Sequence, residues 1–510
     1  MRHFARMIRR LWPALAILAV AAWAAPARAQ EKTLARDLDP VALSGEPLQA
    51  FEGRKIDRMR LYAHQNGQWI PIPYQIDKKD PDGEFIISTN TVTDEVRDEA
   101  GFDDIPEAEK HEDRIEDFED SRKKYEKQIK KGELSREEFE LIRRNAYHEE
   151  KLDQLDYNDE LVFMARDSGS RAARESWLTP RAIELEITDP VDQSTSWVYL
   201  FYFDAGDVPA RSAIDYVDYD PKGDTVNARL GVIDFVDEKP LIVEGLIGKH
   251  PNGTTIPNVL DRFKVRIRVK PAPLFCIPLH FDENNVKAFT IGYKDGPVRV
   301  IRRNIFWIIL GGVRLPFAPK IVIYFQFYEN GLATKAEIWV PVDADWFVCD
   351  GSSFTAGLDL NKNAMGAKIF TQDNSEIVID GKLSEAEKNL KRRGQFWIAG
   401  YLPNDAALMS RMLYDERLIA KGAVMDLALK DDNNALDPPE NEPGQHLIGY
   451  TMDIGKMPKG TYNMGFQIYV AYDFEPGDVD ALLNIDDKPL TVRAVEQESA
   501  VPEAPAEPAK

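Results

Sequence analysis

The chain has 510 residues, with 86 Asp or Glu against 64 Lys or Arg and a formal net charge of −22. A chain this acidic repels nucleic acid and anionic lipid, which argues against polyanion-binding functions. Its two cysteines form no C-x-x-C-H, which excludes covalent haem of the usual kind.

The N-terminus reads as a secretory signal over residues 1–29. Arg2, Arg6, Arg9 and Arg10 precede an apolar stretch from Leu11 to Ala25, and Ala27-Arg28-Ala29 fits an A-x-A cleavage site. The stretch is short for a bilayer span, and no cysteine near the cleavage site offers a lipid anchor. The expected product starts at Gln30 and is periplasmic or secreted. Later in the chain, Ile305 to Leu310 is strongly apolar but is stopped by Gly311, Gly312 and Arg314, so it reads as a buried strand. No membrane span is expected after signal cleavage.

Most of the remaining chain reads as β. Gln68 to Tyr74 is extended, because each proline pushes its predecessor out of the α region. Ser196 to Phe203 is a β-branched and aromatic run. Phe263 to Val269 alternates, as a strand with one wet face does. Lys320 to Tyr328 and Thr334 to Val340 repeat the pattern, and Glu329-Asn330-Gly331 between them signals a hairpin through the tolerance of Asn-Gly for positive φ. Gly460 to Tyr472 reads as a further strand.

Residues 95–152 differ, with 20 acidic and 13 basic residues among 58. Ile115, Phe118, Tyr125 and Ile129 recur at helical spacing, and Lys131-Gly132 supplies a stop. Ser135-Arg136-Glu137-Glu138 is a capping box for a second helix with Phe139, Ile142 and Ala146 as its stripe. The stripe is narrow, so the hairpin is expected to lie on the β-domain, a partner chain or another copy, either as a solvated decoration or as a docking arm. Ile115, Phe118, Tyr125, Ile129, Phe139 and Ile142 are the candidate partner-binding residues. Further on, Ser384 with Glu387 caps a short helix running to Arg392.

The fold class is therefore mainly β: two or more antiparallel β-sandwich domains with an inserted α-helical hairpin. The expected divisions are an N-terminal β-sandwich over 30–270 with its insertion at 95–152, a continuation or second sandwich over 271–370, and a C-terminal α+β or β domain over 371–495. A disordered tail rich in Pro, Ala and Glu follows over 496–510.

Two acidic segments flank the insertion. Asp77, Asp80 and Asp82, with Glu84, precede it; Asp156, Asn158, Asp159 and Glu160 follow it. Such oxygen-rich loops suit Ca²⁺, although their spacing is not that of an EF-hand. Turn chemistry and ion pairing are the structural alternative. Asp359-Leu360-Asn361-Lys362-Asn363 reads as an Asx-turn loop or a weaker cation site. No H-E-x-x-H, G-x-S-x-G, P-loop or G-x-G-x-x-G occurs; His280 and His446 are open as general bases or as structural residues. Trp69, Trp197, Trp307, Trp339, Trp346 and Trp397 lie on β-segments, where they either fill cores or stack on sugars. Cys276 and Cys349, each beside apolar residues, either pair or are buried free thiols.

Three segments carry a resemblance: Trp69 to Asp77, Asn158 to Phe163, and Asp295-Gly296-Pro297-Val298-Arg299. Together they resemble secreted bacterial β-sandwich proteins, some related to rhamnogalacturonan lyases. The resemblance implies a β-sandwich over about residues 40–340 and supplies no catalytic residue. Two functions follow. The first is an exported, non-enzymatic protein that binds an envelope or secreted protein partner or scaffolds an envelope assembly, with the hairpin as docking element. The second is a glycan-binding or lyase-like protein, for which Arg299, Arg302 and Arg303 are the local cluster that could neutralise a uronate, with an exposed basic strand end as the structural alternative.

Overall fold

The computed structural model describes residues 30–87, 89–91, 93, 107–314, 321–340, 343–403 and 406–495. The expected signal at 1–29, the start of the insertion and the tail at 496–510 lie outside them. The chain is mainly β, built from antiparallel sheets.

Two sheets form an N-terminal sandwich. One has three strands, in the order Pro40–Ser44, Glu160–Met164, Tyr74–Asp77; the other runs Thr491–Ala494, Ala182–Thr188, Thr195–Tyr202, Met59–Gln65, Gln68–Pro71. Alternating residues of both, such as Leu43, Ile76, Phe163, Leu61, Ile187 and Leu200, share one core. The end of the chain thus returns to an edge of the sheet laid down near its start.

The rest is organised on an 11-stranded sheet that reaches from Thr89–Asn90 at one edge to Ile377–Val378 at the other, with Gly460–Tyr472 in its interior. Two five-stranded sheets pack on it. The first spans Val217–Asp220 to Thr255–Ile256 and buries Val226 and Phe235 against Val300, Phe325 and Phe327. The second runs Leu279–Phe281, Leu260–Val269, Ser353–Leu360, Leu447–Asp453, Met425–Leu429, and buries Leu260, Leu358 and Ile448 with Tyr462 and Met464. These sheets run across the expected boundaries at 270 and 370. Strands here find their partners by sheet order rather than by nearness in sequence, so that Thr89–Asn90 belongs to the large sheet and Thr491–Ala494 to the N-terminal sandwich.

Helix α1 (Glu107–Lys131) and helix α2 (Arg136–Ala146) make the inserted hairpin. Gly132 takes φ 72°, and Ser135 and Glu138 form the capping box. The box at Ser384 also forms, but its helix is shorter than expected, Glu385–Lys388.

The Tyr328–Gly331 hairpin forms, though for a different reason from the one expected. Its two turn residues, Glu329 and Asn330, are buried and neither has positive φ. Gly331 is required instead by close approach: a Cβ there would lie 2.1 Å from the Ile468 carbonyl oxygen. Gly331→Ala should therefore force neighbouring strands apart and cost about 1–3 kcal/mol. Chemical denaturation of the variant measures this.

Candidate functional site

The three segments of the resemblance meet. Tyr74–Asp77 pairs with Glu160–Met164 so that Asp77 lies opposite Glu160. Arg299 reaches both: Nε donates to Asp77 Oδ2 at 2.7 Å and Nη2 to Glu160 Oε2 at 2.6 Å. Lys294 adds a second cation 2.7 Å from Asp77 Oδ1, and Lys79 pairs with Glu160. Gln75 Oε1 accepts the backbone N–H groups of Val298 and Arg299, at 3.1 and 2.9 Å. Gly296 is needed beside it, since a Cβ would lie 2.4 Å from that oxygen. Burial opposes ionisation of Asp77 and Glu160, but Arg299 with Lys294 and Lys79 outweighs it and holds both below the usual carboxylate range. The cluster joins the N-terminal sandwich to the large sheet. It corrects the expectation of an exposed basic strand end: Arg299 and Arg302 are fully buried. Arg302 pairs with Asp224 and lies over Phe235, while Arg303 lies over Tyr324.

A second buried cluster forms at the base of the hairpin. Lys78 Nζ lies 2.6 Å from Glu150, 2.8 Å from Asp156 and 2.8 Å from Asp159. His148 Nε2 is 3.4 Å from both Glu150 and Asp156. These two carboxylates raise His148 to about 9. Burial pushes Asp159 up to about 7; it also opposes ionisation of Asp156, which His148 and Lys78 nevertheless hold at about 2.

The seven candidate metal ligands thus lie close together without facing one centre. Asp77 and Glu160 face Arg299, while Asp156 and Asp159 face Lys78. Asp80 accepts the N–H groups of Asp82 and Glu84 and lies 3.3 Å from Lys110; Asp82 is 3.7 Å from Arg114; Asn158 donates to the Lys79 carbonyl. His148, Glu150 and Asp156 bring ligand atoms within 4.8 Å of one another, with the Lys78 ammonium against two of them. His148 and Glu150 were not singled out from sequence. Their position just after α2, in a charged run, was the available signal.

The hairpin's apolar stripe is used within the hairpin. Phe118 is buried, with ring centroids 5.8 Å from Phe139, 6.1 Å from Tyr125 and 5.8 Å from Tyr147. Ile115, Ile129 and Ile142 are half-buried. Two narrow stripes facing each other satisfy both helices, and polar contacts seat the base: Arg144 lies over Tyr157, and Tyr157 donates to Asn145.

Other candidates separate in the same way. His446 is buried, with Nδ1 2.6 Å from Asp431, while His280 is exposed. Asp359 is held by Lys264 at 2.9 Å, and Asn361 accepts from Asn363 N–H as an Asx turn does. Trp197 and Trp307 fill cores, and Trp69 packs edge-on against Tyr199 and Phe201. Trp339 and Trp346 stay exposed.

Those two tryptophans belong to the feature that sequence reasoning missed. Cys276 and Cys349 form a disulfide with Cα atoms 5.8 Å apart, and it joins loops 271–279 and 343–350. Leu274, Phe275, Ile277, Trp346 and Phe347 on these loops all face solvent, Phe275 at 91% and Trp346 at 73% exposure. The strand register puts Trp339 and the Leu310–Val313 turn at the same end of the large sheet, where Leu310 and Val313 are also exposed. The signal was a run from 271 to 279 without a charged residue in a chain that is 29% charged.

No protein-family model and no curated protein matches the chain. Among solved structures it is similar to an alpha-mannosidase from Enterococcus faecalis V583, at 8% identity and a TM-score of 0.34, over 63% of this chain and 41% of the mannosidase. It is also similar to the Slr1438 protein from Synechocystis sp. PCC 6803, at 11% identity and a TM-score of 0.28, over 52% of this chain and 99% of that one. A galactose 1-epimerase from Lactobacillus acidophilus NCFM matches at 8% identity and a TM-score of 0.28, over 51% of this chain and 99% of the epimerase. The chain spans about two fifths of the mannosidase's length, and TM-scores this low carry neither family nor activity to it.

Two predictions follow from the clusters. Arg299→Met leaves Asp77 and Glu160 buried without their shared cation and should cost about 3–5 kcal/mol; urea unfolding measures it. The stability due to the lowered carboxylates is present above the usual carboxylate range and is lost on acidification. His148 acts in the opposite sense: raised from 6.5 to about 9, its contribution is complete below pH 6.5 and is lost as pH rises to about 9. In denaturation curves between pH 6.5 and 9, the native chain should lose stability that His148→Gln does not.

Proposed function

We propose that this chain is an exported, non-enzymatic binding protein that attaches to a component of the cell envelope through the apolar end formed by loops 271–279 and 343–350. The single observation that supports this is the group of exposed Leu274, Phe275, Ile277, Trp346 and Phe347 on two loops joined by a disulfide. Exposed apolar groups of this kind mark interaction surfaces. The disulfide suits an oxidising compartment, in keeping with the expected export. The ion-pair clusters have a structural role in this reading, as joints between sheets and hairpin. The docking element is the apolar end rather than the hairpin, whose stripe faces inward.

A glycan-binding reading has one observation in its favour, the exposure of Trp339 and Trp346, because flat aromatic faces stack on sugar rings.

Phe275→Ser/Ile277→Ser/Trp346→Ser should fold with native stability and lose retention by its own envelope fraction. The triple variant tests the reading by fractionation and thermal melting. Equal retention of native and variant chains contradicts it. Release of the native chain by added envelope polysaccharide favours the glycan reading.

A further inference from the structure

We infer that the component met by this apolar end is the surface of a lipid bilayer, which the tip of loop 271–279 enters to shallow depth; this rests on the proposed attachment. Four observations point to lipid rather than to a protein pocket.

The first is shape and chemistry. The tip is convex: Phe275 is 91% exposed and Ile277 61%, so neither lies in a groove that a partner's side chain would fill. Residues 271–279 are Pro-Ala-Pro-Leu-Phe-Cys-Ile-Pro-Leu, without a charge, and aliphatic and aromatic side chains of this mix partition into the interfacial region of a bilayer.

The second is the backbone. A peptide N–H that leaves water without a partner is costly, so shallow entry into lipid is eased where a loop's N–H groups are satisfied within the protein. This one meets that condition. Ala272 N–H donates to the Phe347 carbonyl, Leu274 and Cys276 donate to that of Pro271, Phe275 to that of Ala272 and Ile277 to that of Leu274. Pro273 and Pro278 have no N–H to satisfy.

The third is charge complementarity at the neck. Arg268 and Lys270 lie just below the tip and bind the backbone carbonyls of Gly351 and Asp350, without a carboxylate partner among the described residues. Cations beneath an uncharged tip match the phosphates that lie outside the acyl region of a bilayer. Asp345 and Asp350 are exposed on the second loop, which keeps Trp346 and Phe347 at headgroup level and limits the depth of entry.

The fourth is preorganisation. Phe275 and Cys276 take φ values of 54° and 60°, two consecutive non-glycine residues in the left-handed region, which projects the Phe275 side chain outward. The disulfide to Cys349 fixes that conformation before any contact is made.

No described helix is long and apolar enough to cross a membrane. The contact proposed is one of surface attachment.

The test is flotation of the chain from Gln30 onward on neutral phosphatidylcholine vesicles. The native chain should float with the vesicles. Phe275→Asp/Ile277→Asp should weaken binding by about a hundredfold, while Phe275→Leu/Ile277→Leu, which keeps apolar surface but changes shape, should bind within about threefold of native. Both variants alter exposed side chains, and a thermal melt checks that they fold. Failure of the native chain to bind, or equal binding of the aspartate variant, overturns the inference. Loss of binding in the leucine variant also overturns it, because that outcome signals a shaped pocket. If vesicles are not bound while envelope retention still depends on the tip, the proposed attachment stands and its occupant is a protein.

Discussion

Arg299 is the side chain on which the arrangement of this molecule depends. Its guanidinium is taken out of water between Asp77 and Glu160, which face each other across neighbouring strands. A buried cation of this kind is tolerated only where partners satisfy its charge and its donors together. The site supplies that through two carboxylates, Gln326 and the Tyr328 hydroxyl. The partners come from the three-stranded sheet and from one strand of the large sheet, Ile321–Tyr328, so the condition is met only when both parts are in register. Gln75 and Gly296 refine the same contact through backbone hydrogen bonds and close approach. The neighbouring pairs Arg302–Asp224 and Arg166–Glu329 join further elements in the same manner.

The inserted hairpin fits this plan. It interrupts a motif whose two halves must still meet, and the Lys78 cluster closes the gap at its base with carboxylates from just beyond α2. The helices above need little support because Phe118, Tyr125, Phe139 and Tyr147 cover one another. Charge on the outer faces keeps them solvated. The acidic residues that looked like a cation loop therefore have side-chain ammonium and guanidinium groups as their nearest cations.

Features that depend on local chemistry were legible in the sequence. The capping boxes at Ser135 and Ser384, the Gly132 stop and the strands through Phe263 and Thr334 need only a few neighbouring residues to specify them, although Lys264, expected on a wet face, is buried against Asp359. Features that depend on distant partners were not. Asp77 and Arg299 are 222 residues apart, and Lys78 and Asp159 are 81 apart, so nothing near either end names the other. The large sheet likewise joins strands across the expected boundary at 370 because pairing follows hydrogen-bond geometry. At the Tyr328–Gly331 turn the residues were right and the reason differed, since the approach of Ile468 is a tertiary fact. The apolar end was the largest omission. A run such as Leu274-Phe275-Cys276-Ile277 has the composition of a core, and only the left-handed turn at Phe275 and Cys276 reveals that it faces outward.

The functional reading places binding at one end of the sheets and structure at their joints. Amide hydrogen exchange of the native chain, alone and mixed with its own envelope fraction, tests that division most directly. The account predicts new protection confined to residues 271–279 and 343–350, with the segments around Lys78, Asp77 and Arg299 unchanged. Protection that appears instead at the hairpin or at the Lys78 cluster, with the apolar loops unaffected, would contradict it.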